Sequence, residues 1–139
     1  MSTDDATTTS ALAAAILESI ADAVIHADRT GTIRQWNAGA TEVFGFTAEE
    51  ALGQSLDLII PERLREAHWR GFDAAIERGA TSGGREARLT RGTHKDPERR
   101  LYLEMSFAVV SDDEGGVAGA VAVARDVTEK RLAERARSQ

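Results

Sequence analysis

The stretch "DAVIHADRTGTIRQWN", residues 22–37, decides how this chain is read. Val24, His26 and Asp28 alternate with Ala23, Ile25 and Ala27, the pattern of a strand with two unlike faces. "DRTG" is turn chemistry, because aspartate bonds nearby backbone and Gly31 can take a positive φ. After the turn, Ile33 and Gln35 alternate with Thr32, Arg34 and Trp36, which predicts a second strand. The next residue, Asn37, suits the N-cap of a short helix through Val43 and Phe44, ended by Gly45.

Reading upstream, Leu12, Ile16 and Ile20 form one stripe of a helix that Ser10 can cap. Residues 1–11 are polar, small and threonine-rich and are expected to form a disordered tail. Downstream, Thr47 and Glu50 have the spacing of a capping box for a second short helix closed by Gly53. Pro61 suits the first turn of a longer helix, which "RGATSGG" breaks. Strand-like segments follow at Arg85 to Thr93, Leu101 to Val110 and Val117 to Arg125, separated by "HKDPERR" and "SDDEGG". Strands, then gathered helices, then three strands joined by short turns predict an α+β domain with an antiparallel sheet. The last stretch, "DVTEKRLAERARSQ", reads as a charged helix with Leu132, Ala133 and Ala136 on one side.

The chain has 139 residues, 42% hydrophobic and 29% charged, which fits one globular domain. A net charge of −6 with no basic block argues against nucleic acid as a partner. No apolar run is long enough for a membrane span, and Asp4 and Asp5 stand where a signal peptide is positive. The absence of cysteine excludes disulfides, thiolate metal sites and cysteinyl flavin adducts, and is consistent with a cytoplasmic protein. No nucleophile–base pair, phosphate loop or paired-acid site is visible, so the chain is not expected to be an enzyme. The three histidines are dispersed, which makes a multidentate metal site poor.

The helix after Pro61 holds the chemically informative residue. Leu64, His68, Phe72, Ala75, Ile76 and Gly79 share one helical stripe that should face inward, with His68 in its middle. A neutral imidazole against apolar walls can give its lone pair to iron, or it can simply pack and bond to backbone. The adjacent Trp69 is one step round, at a pocket rim, a dimer contact or the surface. His26 and His94 read as structural or exposed.

Taken together, Asp28 to Gly31, Trp36-Asn37, Phe44-Gly45, Glu49-Glu50, Leu52-Gly53 and Pro61 resemble the first half of a PAS domain. "THKD" and "ARDVTEKR" resemble its second half, so that the likeness covers roughly residues 12–131. One departure is Lys95-Asp96-Pro97 with "ERR" inserted, where the family usually has Lys-Asp-Gly, which puts the register of the Leu101 strand in doubt. The resemblance implies a PAS fold over residues 12–128: a five-stranded antiparallel sheet with short helices covering one face, and a signalling helix starting in 129–139. It implies a sensory module of a signal-transduction protein, with an effector domain such as a kinase in a longer parent.

The likeness sharpens towards heme-type oxygen-sensing PAS domains of histidine kinases, which have a proline and then a histidine seven positions on in this helix. Pro61 and His68 have that spacing, and Asp96 lies 28 residues after His68 as in the same alignment. Those domains carry an arginine on the next strand, and Arg88 falls at its place. The resemblance therefore implies heme b held by His68, with Arg88 towards the bound gas. Phe72, Leu89, Met105, Phe107, Val121 and Val123 would line the pocket, Met105 being alternatively a second axial ligand. Two other readings stay open: a small metabolite bound through Arg85, Arg88 or His68, and a ligand-free module that forms a homodimer through the N-terminal helix and the sheet face.

Overall fold

The computed structural model describes residues 3–81 and 86–138, and the side chains from Thr9 onward. The elements run α1 (Thr3–Ser19), β1 (Ala23–Ala27), β2 (Ile33–Trp36), α2 (Ala38–Phe44) and α3 (Ala48–Ala51). Two short 3-10 turns, Leu56–Leu58 and Glu62–Leu64, lead into α4 (Arg65–Arg78). Then come β3 (Arg88–Thr93), β4 (Arg100–Ser111), β5 (Val117–Asp126) and α5 (Thr128–Arg137). The five strands form one antiparallel sheet in the order β2-β1-β5-β4-β3. No helix among the described residues is long and apolar enough to cross a membrane. Arg85, expected to open the third strand, lies outside the described residues.

Side-chain alternation decides what each strand gives to the core. Ala23, Ile25 and Ala27 of β1, Leu101, Leu103 and Met105 of β4 and Ala124 of β5 are buried on the inner face. They pack against Phe44 of α2, Leu56 of the first 3-10 turn, Ile59 just after it, and Phe72 of α4. Strand β2 departs from simple alternation. Ile25 pairs with Trp36 and Ala27 with Ile33, so Arg34 is an extra residue, a bulge. The bulge turns both Ile33 and Trp36 inward, where strict alternation puts them on opposite faces.

The local signals for helix ends hold. Thr47 and Glu50 form a reciprocal capping box, and Gly45 ends α2 in the left-handed conformation. Pro61 precedes the 3-10 turn rather than α4 itself. The N-terminus corrects the expectation of a disordered tail: α1 begins at Thr3, and Ser10 lies inside it rather than capping it. The alanine-rich run 11–15 carries high helix propensity. The unusual fourth turn also forms a defined hairpin. Thr93 pairs with Arg100, and the Asp96 carboxylate accepts the Glu98 N–H at 3.0 Å.

Asn37 joins three of these elements. The residue is 3% exposed. Oδ1 accepts the N–H of Ala40 at 2.9 Å, capping α2, and the N–H of Val24 at 2.8 Å, at the start of β1. Nδ2 donates to the carbonyls of Leu17, in the last turn of α1, at 2.8 Å and of Asp22 at 3.1 Å. Replacing Asn37 with Ala removes the cap and leaves these backbone groups without their partner, at an expected cost of about 2–4 kcal/mol. Asn37→Asp keeps both accepted bonds but points a carboxylate at two carbonyls, so it should not rescue stability. Urea denaturation of the three proteins checks both outcomes.

Candidate functional site

A cavity of about 250 Å³ lies between α4 and the inner face of the sheet. The helix wall is made by Ala67, His68, Gly71, Phe72 and Ala75. The spacing explains it: 67, 71 and 75, with 68 and 72, trace one face over two turns. On the sheet side stand Arg88 of β3, Met105 and Phe107 of β4 and Ala120 of β5. Thr81 and Glu86 also line the cavity. The cavity exists because small residues face each other. A Cβ at Gly71 would meet nothing within 4 Å.

His68 is half-buried, and its Nδ1 is shut off from solvent with no hydrogen-bond partner among the described residues. Its ring stands edge-on to Trp69 at 4.8 Å and tilted to Phe72 at 6.0 Å. Burial pushes its pKa below the ordinary histidine value, and the charges of Asp57 and Asp73 only partly oppose this. At neutral pH the ring is therefore uncharged, with a lone pair to give. Arg88 sits beside Met105 in the strand register. No ion pair or hydrogen bond of its guanidinium is found among the described residues.

Trp69 has a defined place. Its Nε1 donates to Asp57 at 2.7 Å, which ties α4 to the first 3-10 turn. Its ring covers Gly31 in the β1–β2 turn, where φ is +84° and a Cβ would come within 2.2 Å of the indole. Asp28 holds that turn by accepting the N–H groups of Thr30 at 3.0 Å and Thr32 at 3.1 Å. The Thr30 hydroxyl and the Arg34 guanidinium beside it hold its carboxyl far below the usual range. So the wall that carries His68 is seated on the first hairpin.

Of the residues expected to line the site, His68, Phe72, Arg88, Met105 and Phe107 do so. Leu89, Val121 and Val123 do not, which corrects their assignment. Leu89 pairs with Glu104, and its neighbour Arg88 with the inward Met105, so Leu89 points outward and is 50% exposed. On β5 the inward set is Ala120, Ala122 and Ala124, which leaves Val121 and Val123 on the outer face. Ala67, Gly71, Ala75 and Ala120 were not singled out beforehand as lining. Their signal was the helical spacing of small residues around His68 and the Ala–Val alternation of β5. Among the described residues, no group of acidic or histidine side chains is placed to hold a metal ion together.

The family model described as PAS fold matches residues 17–132. The chain belongs to the PAS family. It is 30% identical over 119 residues to a light-sensor protein kinase of Ceratodon purpureus, covering 84% of this chain and 9% of that protein. It is 29% identical over 118 residues to the sensor protein FixL of Bradyrhizobium diazoefficiens, covering 82% of this chain and 22% of that protein. The chain thus spans under a quarter of the length of these relatives. The PAS domain of a Colwellia psychrerythraea protein superposes with a TM-score of 0.73 at 24% identity, covering 85% of this chain and 96% of that one. The module is therefore a sensory PAS domain of the kind found in signalling proteins.

Two outcomes test the geometry of the site. Gly31→Ala forces a side chain into a left-handed backbone and into the indole, costing about 1–3 kcal/mol, with a change in Trp69 emission. For His68, the unfolded chain binds a proton near pH 6.5 while the folded ring resists it, so stability falls as pH drops through about 6.5 and levels off below the folded pKa. His68→Gln removes that share. The stability gap between wild type and variant should shift against wild type between about pH 8 and pH 5 in urea melts.

Proposed function

We propose that this chain is the ligand-sensing input module of a larger signalling protein, and that its ligand binds in the cavity beneath α4. The observation that carries this is the uncharged His68 imidazole, whose buried Nδ1 has no partner among the described residues, in an apolar space edged by the exposed Arg88. A buried polar atom without a partner is costly, and a ligand that engages the ring compensates that cost.

Heme b is the occupant that the donor set fits. His68 would hold the iron, with Phe72, Met105 and Phe107 against the ring. Arg88 would be available to donate a hydrogen bond to a bound gas. An iron porphyrin, when bound, supplies a coordination position for a diatomic gas. The cavity volume favours a smaller guest. At about 250 Å³ it lies below the roughly 300–1,000 Å³ of drug-sized ligand pockets. Heme would need α4 to stand further from the sheet. A small planar carboxylate, paired with Arg88, fits the space as it is.

Hemin titration separates the two. A sharp Soret band that shifts on reduction and with carbon monoxide, and is lost in His68→Ala, establishes heme. Full heme uptake by His68→Ala would rule that occupant out. Gly71→Leu serves both readings, because its side chain enters the open cavity while leucine suits a helix better than glycine by up to about 1 kcal/mol. It should keep or raise thermal stability and abolish binding. If neither hemin nor a panel of small carboxylates binds in a Gly71-sensitive way, the cavity is not a ligand site.

A homodimer is supported by a separate observation. Leu12, Ile16 and Ile20 of α1 are 59%, 52% and 37% exposed. With Val121 and Val123 on the outer sheet face they offer apolar surface to a second copy. Sedimentation should show a dimer that Leu12→Lys with Ile16→Lys splits. A monomer at every concentration would sink this assembly.

A further inference from the structure

Tyr102 stands on the outer face of β4, away from the cavity, and is 7% exposed. Two elements converge on it. From β3, the Arg91 guanidinium lies over its ring, 4.5 Å from the centroid, while Arg91 Nε donates to the Leu101 carbonyl at 3.0 Å. From α5, Arg135 Nη1 donates to its hydroxyl at 2.6 Å. At the root of α5, its backbone N–H donates to Thr128 Oγ1 at 2.9 Å, and its carbonyl accepts the Val127 N–H at 2.9 Å. The helix has little else to hold it. No described residue of α5 is buried, and Leu132 is 40% exposed. An amphipathic helix of ten residues is not stable by itself.

Strand β3 carries both ends of a connection. Arg88 lines the cavity on the inner face, and Arg91, three residues on, reaches Tyr102 on the outer face. We propose that Tyr102 is the positioning residue that couples β3 to the exit helix: Arg91 holds the phenol ring, and the phenol hydroxyl holds Arg135 and so the docked state of α5. The two states biased are α5 docked along the sheet end and α5 frayed from it. A displacement of β3 moves Arg91, loosens the ring and releases the helix. Only the origin of that displacement, at Arg88, rests on the cavity reading. The coupling itself does not.

The test is amide hydrogen exchange on the full chain without added ligand, read at the amides of residues 131–137. Tyr102→Phe keeps the ring under Arg91 and loses the hydroxyl, so α5 should exchange at least about tenfold faster, with the central strands β1 and β5 unchanged. Arg91→Leu should speed α5 exchange about two- to fivefold, although no contact of Arg91 with α5 is found among the described residues. In the Tyr102→Phe background, Arg91→Leu should then add nothing at α5. Wild-type exchange at α5 in Arg91→Leu, or an equal effect of that change in the Phe background, overturns the proposal. Failure of the cavity reading would appear instead as absent ligand binding, with these exchange rates as expected.

Discussion

The carboxamide of Asn37 is the interaction on which the arrangement depends. A five-stranded sheet does not by itself choose which face its helices cover or where they start. Asn37 makes that choice at one point, because one amide has an acceptor and two donor hydrogens in a fixed plane. The acceptor faces α2 and β1, and the donors face the end of α1 and the Asp22 turn. Asparagine alone among the standard residues of this size can satisfy both sides. The close approach that follows is visible next door. At Gly39 a Cβ would come within 2.2 Å of the Asp22 carbonyl oxygen, so the first turn of α2 can sit this near only without a side chain.

From that point the core propagates by parity. The sheet presents Ala23, Ala27, Ala120, Ala122 and Ala124 inward on β1 and β5, beside Ile25, and larger residues on β2 and β4. Large side chains fill the space under α2 and α3. Under α4, Ala67, Gly71, Ala75 and Ala120 leave space open between the larger Phe72, Met105 and Phe107. The cavity is thus a consequence of where volume is withheld, and it persists because its apolar lining gains little from admitting water. The same withholding gives His68 its chemistry: with apolar neighbours and few polar partners, the ring loses hydration and stays uncharged.

Much of this was legible in the residues themselves, for a physical reason. Caps and turns are local: Asn37, Thr47 with Glu50, Gly31 and Gly45 announce themselves within four positions. The inward face of the Pro61–Gly79 helix followed from its period, and His68 and Phe72 do line the cavity. What was hidden depended on strand parity and distance. The bulge at Arg34 reverses alternation in β2, and nothing local marks it. Val121 and Val123 look like core by hydrophobicity, yet the alternating alanines face in, because the buried side of a strand is the one with a helix over it. The Asp57–Trp69 bond joins residues twelve positions apart, across an irregular stretch that no periodicity describes.

The position of β3 in the sheet bears on how such a module responds to a ligand. It is an edge strand, paired within the sheet only with β4, whereas β1 and β5 are held on both sides. A central strand cannot shift without breaking two ladders, so occupancy of the cavity would be absorbed as strain there. An edge strand breaks one, and its inner and outer side chains move together as a stiff unit. Arg88 and Arg91 are therefore linked by the backbone itself, one facing the cavity and one facing Tyr102. The contact at Tyr102 lies at the far end of that strand from the cavity, beside the root of α5. A small rotation of β3 about its own axis is enough to change both contacts at once. The chain thus places an edge strand between an apolar cavity lined by an uncharged histidine and an exit helix with no buried residue among those described.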